Sequence, residues 1–209
     1  MKINELFYSL QGEGTSAGLP TIFLRTTGCN LRCKYCDTKY AYTQGTEMNI
    51  QEILNKIEKY SCKNICVTGG EPLLQKDIPR LIKYLLQRKF TICLETNGSI
   101  DIRKYMGKPS LMISLDIKCP SSRMHLHMIL ENISSLSKND QLKFVIQNKT
   151  DYDYAKEVIG KYSPRCTVFF QPVWGTNPQK LAKWILNDGL SVRLGLQLQK
   201  IIWGGKRGV

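Results

Sequence analysis

Thr21-Ile22-Phe23-Leu24-Arg25-Thr26-Thr27-Gly28-Cys29-Asn30-Leu31-Arg32-Cys33-Lys34-Tyr35-Cys36-Asp37-Thr38 is an apolar run that breaks into a polar loop carrying three cysteines. Thr21 to Thr26 has the composition of a buried strand, with one charge out of place at Arg25. The loop after it is too polar and too rich in turn formers to be a core strand. Its cysteines stand in the pattern CxxxCxxC, a spacing that folds three sulfurs around one point. A structural zinc site closes with four protein ligands. No fourth ligand lies nearby, because the only histidines are the distant His125 and His127. Three thiolates around an open position suit an iron–sulfur cluster with one iron free to bind something else. Three buried or disulfide-bonded cysteines are the bland alternative, and they leave so compact a spacing unexplained.

Working outward, residues 2–10 read as a short strand leading into the turn Gln11-Gly12-Glu13-Gly14. Downstream, apolar residues at helical spacing predict helices over 49–60 (Ile50, Ile53, Leu54, Ile57) and 77–88 (Ile78, Leu81, Ile82, Leu85). Strands are expected at 64–68, 91–95, 111–116, 142–147 and 167–171, further helices at 124–136, 151–161 and 178–187, and a last strand within 192–202. Strands alternating with helices imply right-handed crossovers and a mostly parallel sheet. About six such units are too few to close an eight-stranded barrel. The expected fold is therefore α/β, an open partial (β/α)6-like barrel, with residues 1–209 as a single domain.

Ligands of parallel sheets bind at the carboxyl ends of the strands. The unusual polar residues fall there: Thr68-Gly69-Gly70-Glu71, Glu95-Thr96-Asn97, Ser114, Asp116, Lys118 and Gln171-Pro172. Gly69 and Gly70 let a ligand lie against bare backbone. Ser114 and Asp116, two apart on one strand, face the same way. Asp116 either accepts from ribose hydroxyls or pairs with Lys118. Arg25 needs a partner, and a ligand carboxylate is one candidate. Of the other cysteines, Cys62 and Cys66 have a spacing that a second metal site could use, but Cys66 and Cys93 lie in strands and are expected to pack as small apolar residues.

Lys and Arg total 30 against 17 Asp and Glu, a formal charge of +13. The lysines are spread along the chain without a block or an aromatic ladder, which makes nucleic acid the weaker partner. An anionic substrate or an acidic electron-donor protein fits the charge better. No apolar run reaches the ~20 residues of a membrane span, and no signal-peptide core opens the chain. A cytoplasmic enzyme is expected, in a reducing compartment where eight cysteines serve as ligands or packing rather than disulfides.

The cysteine loop, with Tyr35 just before its last cysteine, resembles the cluster motif of the radical S-adenosylmethionine (SAM) enzymes. Gly69-Gly70-Glu71-Pro72 resembles their motif for the SAM amino group. More narrowly, Leu10 to Gly14, Arg25, Cys36-Asp37-Thr38, Thr68 to Pro72, Glu95 to Gly98, Ser114 to Lys118 and the ending Trp203 to Val209 together resemble the 7-carboxy-7-deazaguanine synthase family, over nearly the whole chain. That resemblance implies a Mg²⁺-dependent lyase. It would rearrange 6-carboxy-5,6,7,8-tetrahydropterin to 7-carboxy-7-deazaguanine with loss of ammonia, in the biosynthesis of queuosine-type 7-deazapurines. It further implies that Cys29, Cys33 and Cys36 hold a 4Fe–4S cluster, and that Thr38 ligates Mg²⁺. Leu10, Gln11, Gly12, Arg25, Thr68 and Val209 would contact the pterin, with Arg25 on its carboxylate. Tyr35, Cys36, Asp37, Gly70, Ser114, Asp116, Lys118 and Gln171 would line the SAM side. A homodimer and a reductant such as flavodoxin or ferredoxin follow from the same resemblance, with no nucleic acid or membrane partner. Two rivals remain: a glycyl-radical activating enzyme, against which the Gln11–Gly14 turn and Cys36-Asp37-Thr38 argue, and a non-enzymatic iron–sulfur or zinc module binding nucleic acid.

Overall fold

The computed structural model describes residues 1–209. Its strands are β1 (Lys2–Leu10), β2 (Pro20–Thr26), β3 (Thr46–Glu47), β4 (Asn64–Gly69), β5 (Thr91–Thr96), β6 (Leu111–Ile117), β7 (Gln141–Ile146), β8 (Thr167–Pro172) and β9 (Arg193–Leu194). They form one sheet in the order β3-β1-β2-β4-β5-β6-β7-β8-β9. β1 is antiparallel to both neighbours, and every pair from β2 to β9 is parallel. β3 and β9 stay as separate edges, so the sheet curls into the open partial barrel that the strand count implies.

The helices are α1 (Ile50–Ile57), α2 (Ile78–Gln87), α3 (Asn132–Ser135), α4 (Lys149–Tyr162), α5 (Pro178–Asn187) and α6 (Leu198–Trp203). α1 begins in a capping box: Asn49 and Glu52 each accept the other's backbone N–H through their side chains. Asn148 and Asn177 cap α4 and α5 in the same sense. The apolar stripes Ile53, Leu54, Ile57 and Ile78, Leu81, Ile82, Leu85 are buried in a core that also takes Leu24, Val67, Leu94, Leu115, Phe144 and Phe170 from alternate strand positions.

The other strand positions face the barrel interior, and the parallel register stacks them in rows. The lowest row runs Phe7–Phe23–Cys66–Cys93–Met112 across five adjacent strands. Above it the row turns polar: Glu5 opposite Arg25, Arg25 opposite Thr68, Glu95 opposite Ser114, and Ser114 opposite Gln141. Higher still, Asp116 stands opposite Lys143. An apolar, sulfur-rich floor thus underlies a charged upper layer at the strands' carboxyl ends.

Two expectations are corrected. Residues 124–136 are not one helix: a 3-10 turn covers His125–His127, and α3 is a single four-residue turn. Asn132 is drawn into tertiary bonds, donating to the carbonyls of Gly98 and Ile100 and accepting from Ile102 N–H, which a surface helix position would not allow. The strand expected within 192–202 is only Arg193–Leu194, and the chain after it forms α6. Gly195 ends the pairing, with its N–H on the Phe170 carbonyl.

With so short a helix between β6 and β7, a buried carboxylate does the joining. Asp140, 4% exposed, accepts from Ile113 N–H at 2.8 Å and from Ser137 N–H and Oγ at 2.8 and 2.7 Å. Asp140→Ala removes three bonds to one charged acceptor and should destabilise the fold by about 2–3 kcal/mol. Urea unfolding should show a lower midpoint at unchanged slope. An unchanged midpoint would deny Asp140 this role.

Candidate active site

The cluster loop leaves β2 and is held from three sides. Gly28 N–H bonds the Ala41 carbonyl at 2.8 Å, Glu71 N–H bonds the Gly28 carbonyl at 2.7 Å, and Gly70 N–H bonds the Thr26 carbonyl at 3.2 Å. A Cβ at Gly70 would sit 2.2 Å from the Gly28 oxygen, so only glycine lets the two loops touch. Asn97 Nδ2 approaches Cys29 Sγ at 3.8 Å and Asn30 Oδ1 at 3.2 Å. The loops after β2, β4 and β5 therefore form one connected rim.

Above the sheet lies a cavity of about 690 Å³. Every residue that the resemblance assigns to a site lines it: Leu10, Gln11, Gly12, Arg25, Cys29, Cys33, Tyr35, Cys36, Asp37, Thr38, Thr68, Gly70, Ser114, Asp116, Lys118, Gln171 and Val209. All eight cysteines are free thiols. The loop cysteines do not crowd together as ligands of one ion would; only Cys66, Cys93 and Glu95 bring three ligand atoms within 4.8 Å of one another. Spread sulfurs suit a cluster whose thiolates sit on separate irons. Burial pushes the Cys29 and Cys33 thiols up, so thiolates here need a cation beside them, which iron would supply.

Asp116 pairs with Lys118 through Oδ2 at 2.9 Å, while its buried Oδ1 has no partner. Asp116 lines the cavity, and a carboxylate there matches a hydroxyl-bearing ligand such as a ribose. Arg25 finds a partner within the chain: its Nε donates to Glu5 at 3.0 Å. Only Nε is used in this way, and the rest of the guanidinium is open to the cavity. Glu5 also accepts from Tyr40 at 3.3 Å and from Arg207 at 3.1 Å. Thr38 Oγ1 donates to Asp37, whose other oxygen meets Lys200 at 2.7 Å. Ser114 accepts from Gln141 Nε2 at 2.8 Å.

A scan against family models matches the radical SAM superfamily over residues 23–161. The chain is 39% identical to 7-carboxy-7-deazaguanine synthase of Thermoplasma acidophilum over the full length of both. It is 41% identical to the enzyme of the same name from Methanospirillum hungatei, covering 97% of this chain and 85% of that one. The chain belongs to the 7-carboxy-7-deazaguanine synthase family. Among solved structures, QueE from Escherichia coli superposes with a TM-score of 0.78 at 22% identity, over 94% of this chain and 93% of that one, which supports the fold. Membership of this family makes the chain a radical SAM enzyme, one that uses a 4Fe–4S cluster and SAM.

Several lining residues escaped the sequence reading. Glu13 belongs to a turn that was noted without a role, and it accepts from Lys143 at 2.8 Å, Gln197 at 2.9 Å and Gln199 at 3.0 Å. Lys143 was legible by parity alone, since it alternates with the apolar Leu142 and Phe144. Glu95, noted above at its strand end without a role, accepts from Thr68 Oγ1 at 2.8 Å. The expected core role of Cys66 and Cys93 matches their burial at 0% and 9% exposure, and Cys62 is not grouped with them.

Burial alone would raise the Glu13 carboxyl, but the Lys143 ammonium and the two glutamine amides outweigh it and hold the group down at about 2, against 4.5 when free. A carboxyl held below its unfolded value adds stability that is complete above the unfolded pKa and fades as pH falls toward the folded one. Glu13→Gln should therefore cost stability above pH 4.5, and that cost should shrink toward pH 2. Unfolding midpoints of both proteins across this range test it. A gap independent of pH would contradict an ionised Glu13 at this position.

Proposed function

We propose that this chain, acting as one radical SAM domain over residues 1–209, converts 6-carboxy-5,6,7,8-tetrahydropterin to 7-carboxy-7-deazaguanine with release of ammonia. The observation that carries the reading is the single cavity that gathers the cysteine loop, the open guanidinium of Arg25 and the carboxylate of Asp116. When bound by these residues, the cluster and SAM would supply the radical chemistry that removes hydrogen from the pterin carbon bearing the carboxylate.

Cys29, Cys33 and Cys36 hold the cluster. Asp116 accepts from the ribose, Gly70 offers its backbone to the amino acid end of SAM, and Tyr35, Cys36, Asp37, Ser114, Lys118 and Gln171 complete that side. Leu10, Gln11, Gly12, Thr68 and Val209 enclose the pterin. Arg25 pairs with the pterin carboxylate, its Nε already steadied by Glu5. Thr38 would supply the protein ligand of a Mg²⁺; one hydroxyl with oxygens from substrate and water suits a hard cation that keeps few protein ligands. The apolar floor of Phe7, Phe23 and Met112 keeps the reacting end dry.

The enzyme is cytoplasmic in this reading and works as a homodimer with an acidic reductant such as flavodoxin or ferredoxin. Neither nucleic acid nor membrane is required, and no helix is long and apolar enough to cross a bilayer.

The test is an anaerobic assay of the iron- and sulfide-reconstituted protein with SAM, dithionite, Mg²⁺ and 6-carboxytetrahydropterin, products read by mass. 5′-Deoxyadenosine together with 7-carboxy-7-deazaguanine is expected; 5′-deoxyadenosine without the deazapurine would refute the substrate. Arg25→Ala should raise the pterin KM about tenfold or more, the scale of a lost charge-assisted contact, with iron content unchanged. Loss of the cluster would instead refute its placement. Thr38→Ala should flatten the rate response to Mg²⁺, and an unaltered titration would remove Thr38 from the metal.

A further inference from the structure

Lys143 is the one lysine that touches both halves of the cavity. Its side chain is 13% exposed, and its ammonium lies 2.8 Å from Glu13 Oε2 and 3.5 Å from Asp116 Oδ2. Glu13 sits in the turn that follows β1, next to Gln11 and Gly12 on the pterin side. Asp116 lies on β6, on the SAM side, and stands in register with Lys143 on β7. An ammonium has three donors on a rotatable stem, so it can serve two carboxylates at once. The Asp116 carboxylate is paired through Oδ2, with Lys118 at 2.9 Å and Lys143 at 3.5 Å, while its buried Oδ1 has no partner. The Glu13 side chain has no partner on the barrel wall other than Lys143, since its remaining bonds go to Gln197 and Gln199 of the C-terminal segment, whereas the turn's backbone is also pinned to β7 by Thr15 N–H on Gln141 Oε1 at 2.8 Å.

We infer that Lys143 is a positioning residue that sets the separation of the adenosyl and pterin half-sites, by holding Asp116 for the ribose and the Glu13 carboxylate beside the pterin. The inference rests on the assignment of Asp116 to SAM proposed above. Hydrogen transfer between two bound molecules is steep in distance: a misplacement near 1 Å can cost about 100-fold in rate. A tether that spans both half-sites is where such an error would enter. Removing it should spoil two binding events and their alignment together, whereas a lysine that only supported the fold would affect neither selectively.

Lys143→Met in the reconstituted enzyme is the main variant, with Lys143→Gln as a second that keeps a donor without the charge and applies if the first fails to fold. Iron per chain should match the parent. SAM binding to the unreduced enzyme, followed by calorimetry, should weaken about tenfold, the scale of one charge-assisted hydrogen bond. Under turnover, product should fall about 100-fold while 5′-deoxyadenosine falls less, so the ratio of 5′-deoxyadenosine to deazapurine rises. Lys143→Arg, which restores the charge, should recover part of both. Parental SAM affinity together with a parental ratio would overturn the inference. Asp116→Asn separates the two layers of argument. If it leaves SAM binding untouched, the assignment of Asp116 fails; if it weakens binding and the Lys143 variants do not, Lys143 is not the tether.

Discussion

One buried carboxylate fixes the rim on which the site is built. Glu71 is fully enclosed and accepts from Leu73 N–H at 3.0 Å, Thr96 Oγ1 at 2.9 Å and Asn97 N–H at 2.7 Å. Its own N–H bonds the carbonyl of Gly28, at the start of the cluster loop. A single residue thereby links the ends of β2, β4 and β5, through its backbone N–H on one side and its side chain on the other. Burial pushes its carboxyl up despite those donors, so the charged form is held at a cost that other interactions must offset. The return is geometric. Loops at strand ends have many conformations, and these three lose that freedom together because each closes on the next.

The rim explains why the strand-end residues of the sequence could be read as a site at all. β2 and β4 to β8 were legible because each combines β-branched or aromatic residues with polar punctuation, and the capped helices α1, α4 and α5 because their apolar stripes keep helical spacing. What failed was structure determined by distant partners. Asn132 looks like a helix position until its three bonds to the Gly98–Ile102 loop are known. The Glu5 partner of Arg25 was out of reach because it stands opposite in a β1–β2 register that no local pattern announces, though the guanidinium it steadies still opens to the cavity. α6 was hidden for the same reason: none of its residues is buried, and polar bonds fasten it, from Trp203 to Ser9 and from Leu198 N–H to the Gly12 carbonyl.

Those polar fastenings have a common feature. The C-terminal segment binds the chain chiefly through groups that also border the cavity: Gln197 and Gln199 on Glu13, Lys200 on Asp37, Arg207 on Glu5. Each acidic partner sits beside a residue assigned to a ligand, namely Gly12, Thr38 and Arg25. The segment therefore orders the site as it covers it. Ile201 and Ile202, 61% and 41% exposed, take no part in this attachment.

Charge is distributed in a way that separates the cavity from the surface. Among the lining side chains, five acids (Glu5, Glu13, Asp37, Glu95, Asp116) meet six bases (Arg25, Lys118, Lys143, Lys200, Lys206, Arg207), a surplus of +1. The whole chain carries +13, so +12 of the excess lies outside the cavity. Pairing inside keeps buried charges satisfied, as a low-dielectric site demands. The outer surplus cannot serve the same purpose, because exposed charges contribute little to stability. Its physical effect is a long-range field, which raises the encounter rate of a negatively charged macromolecule and is screened by salt over about 8–10 Å. Around the cysteine loop, the exposed side chains of Arg32, Lys34 and Lys39 contribute to that field.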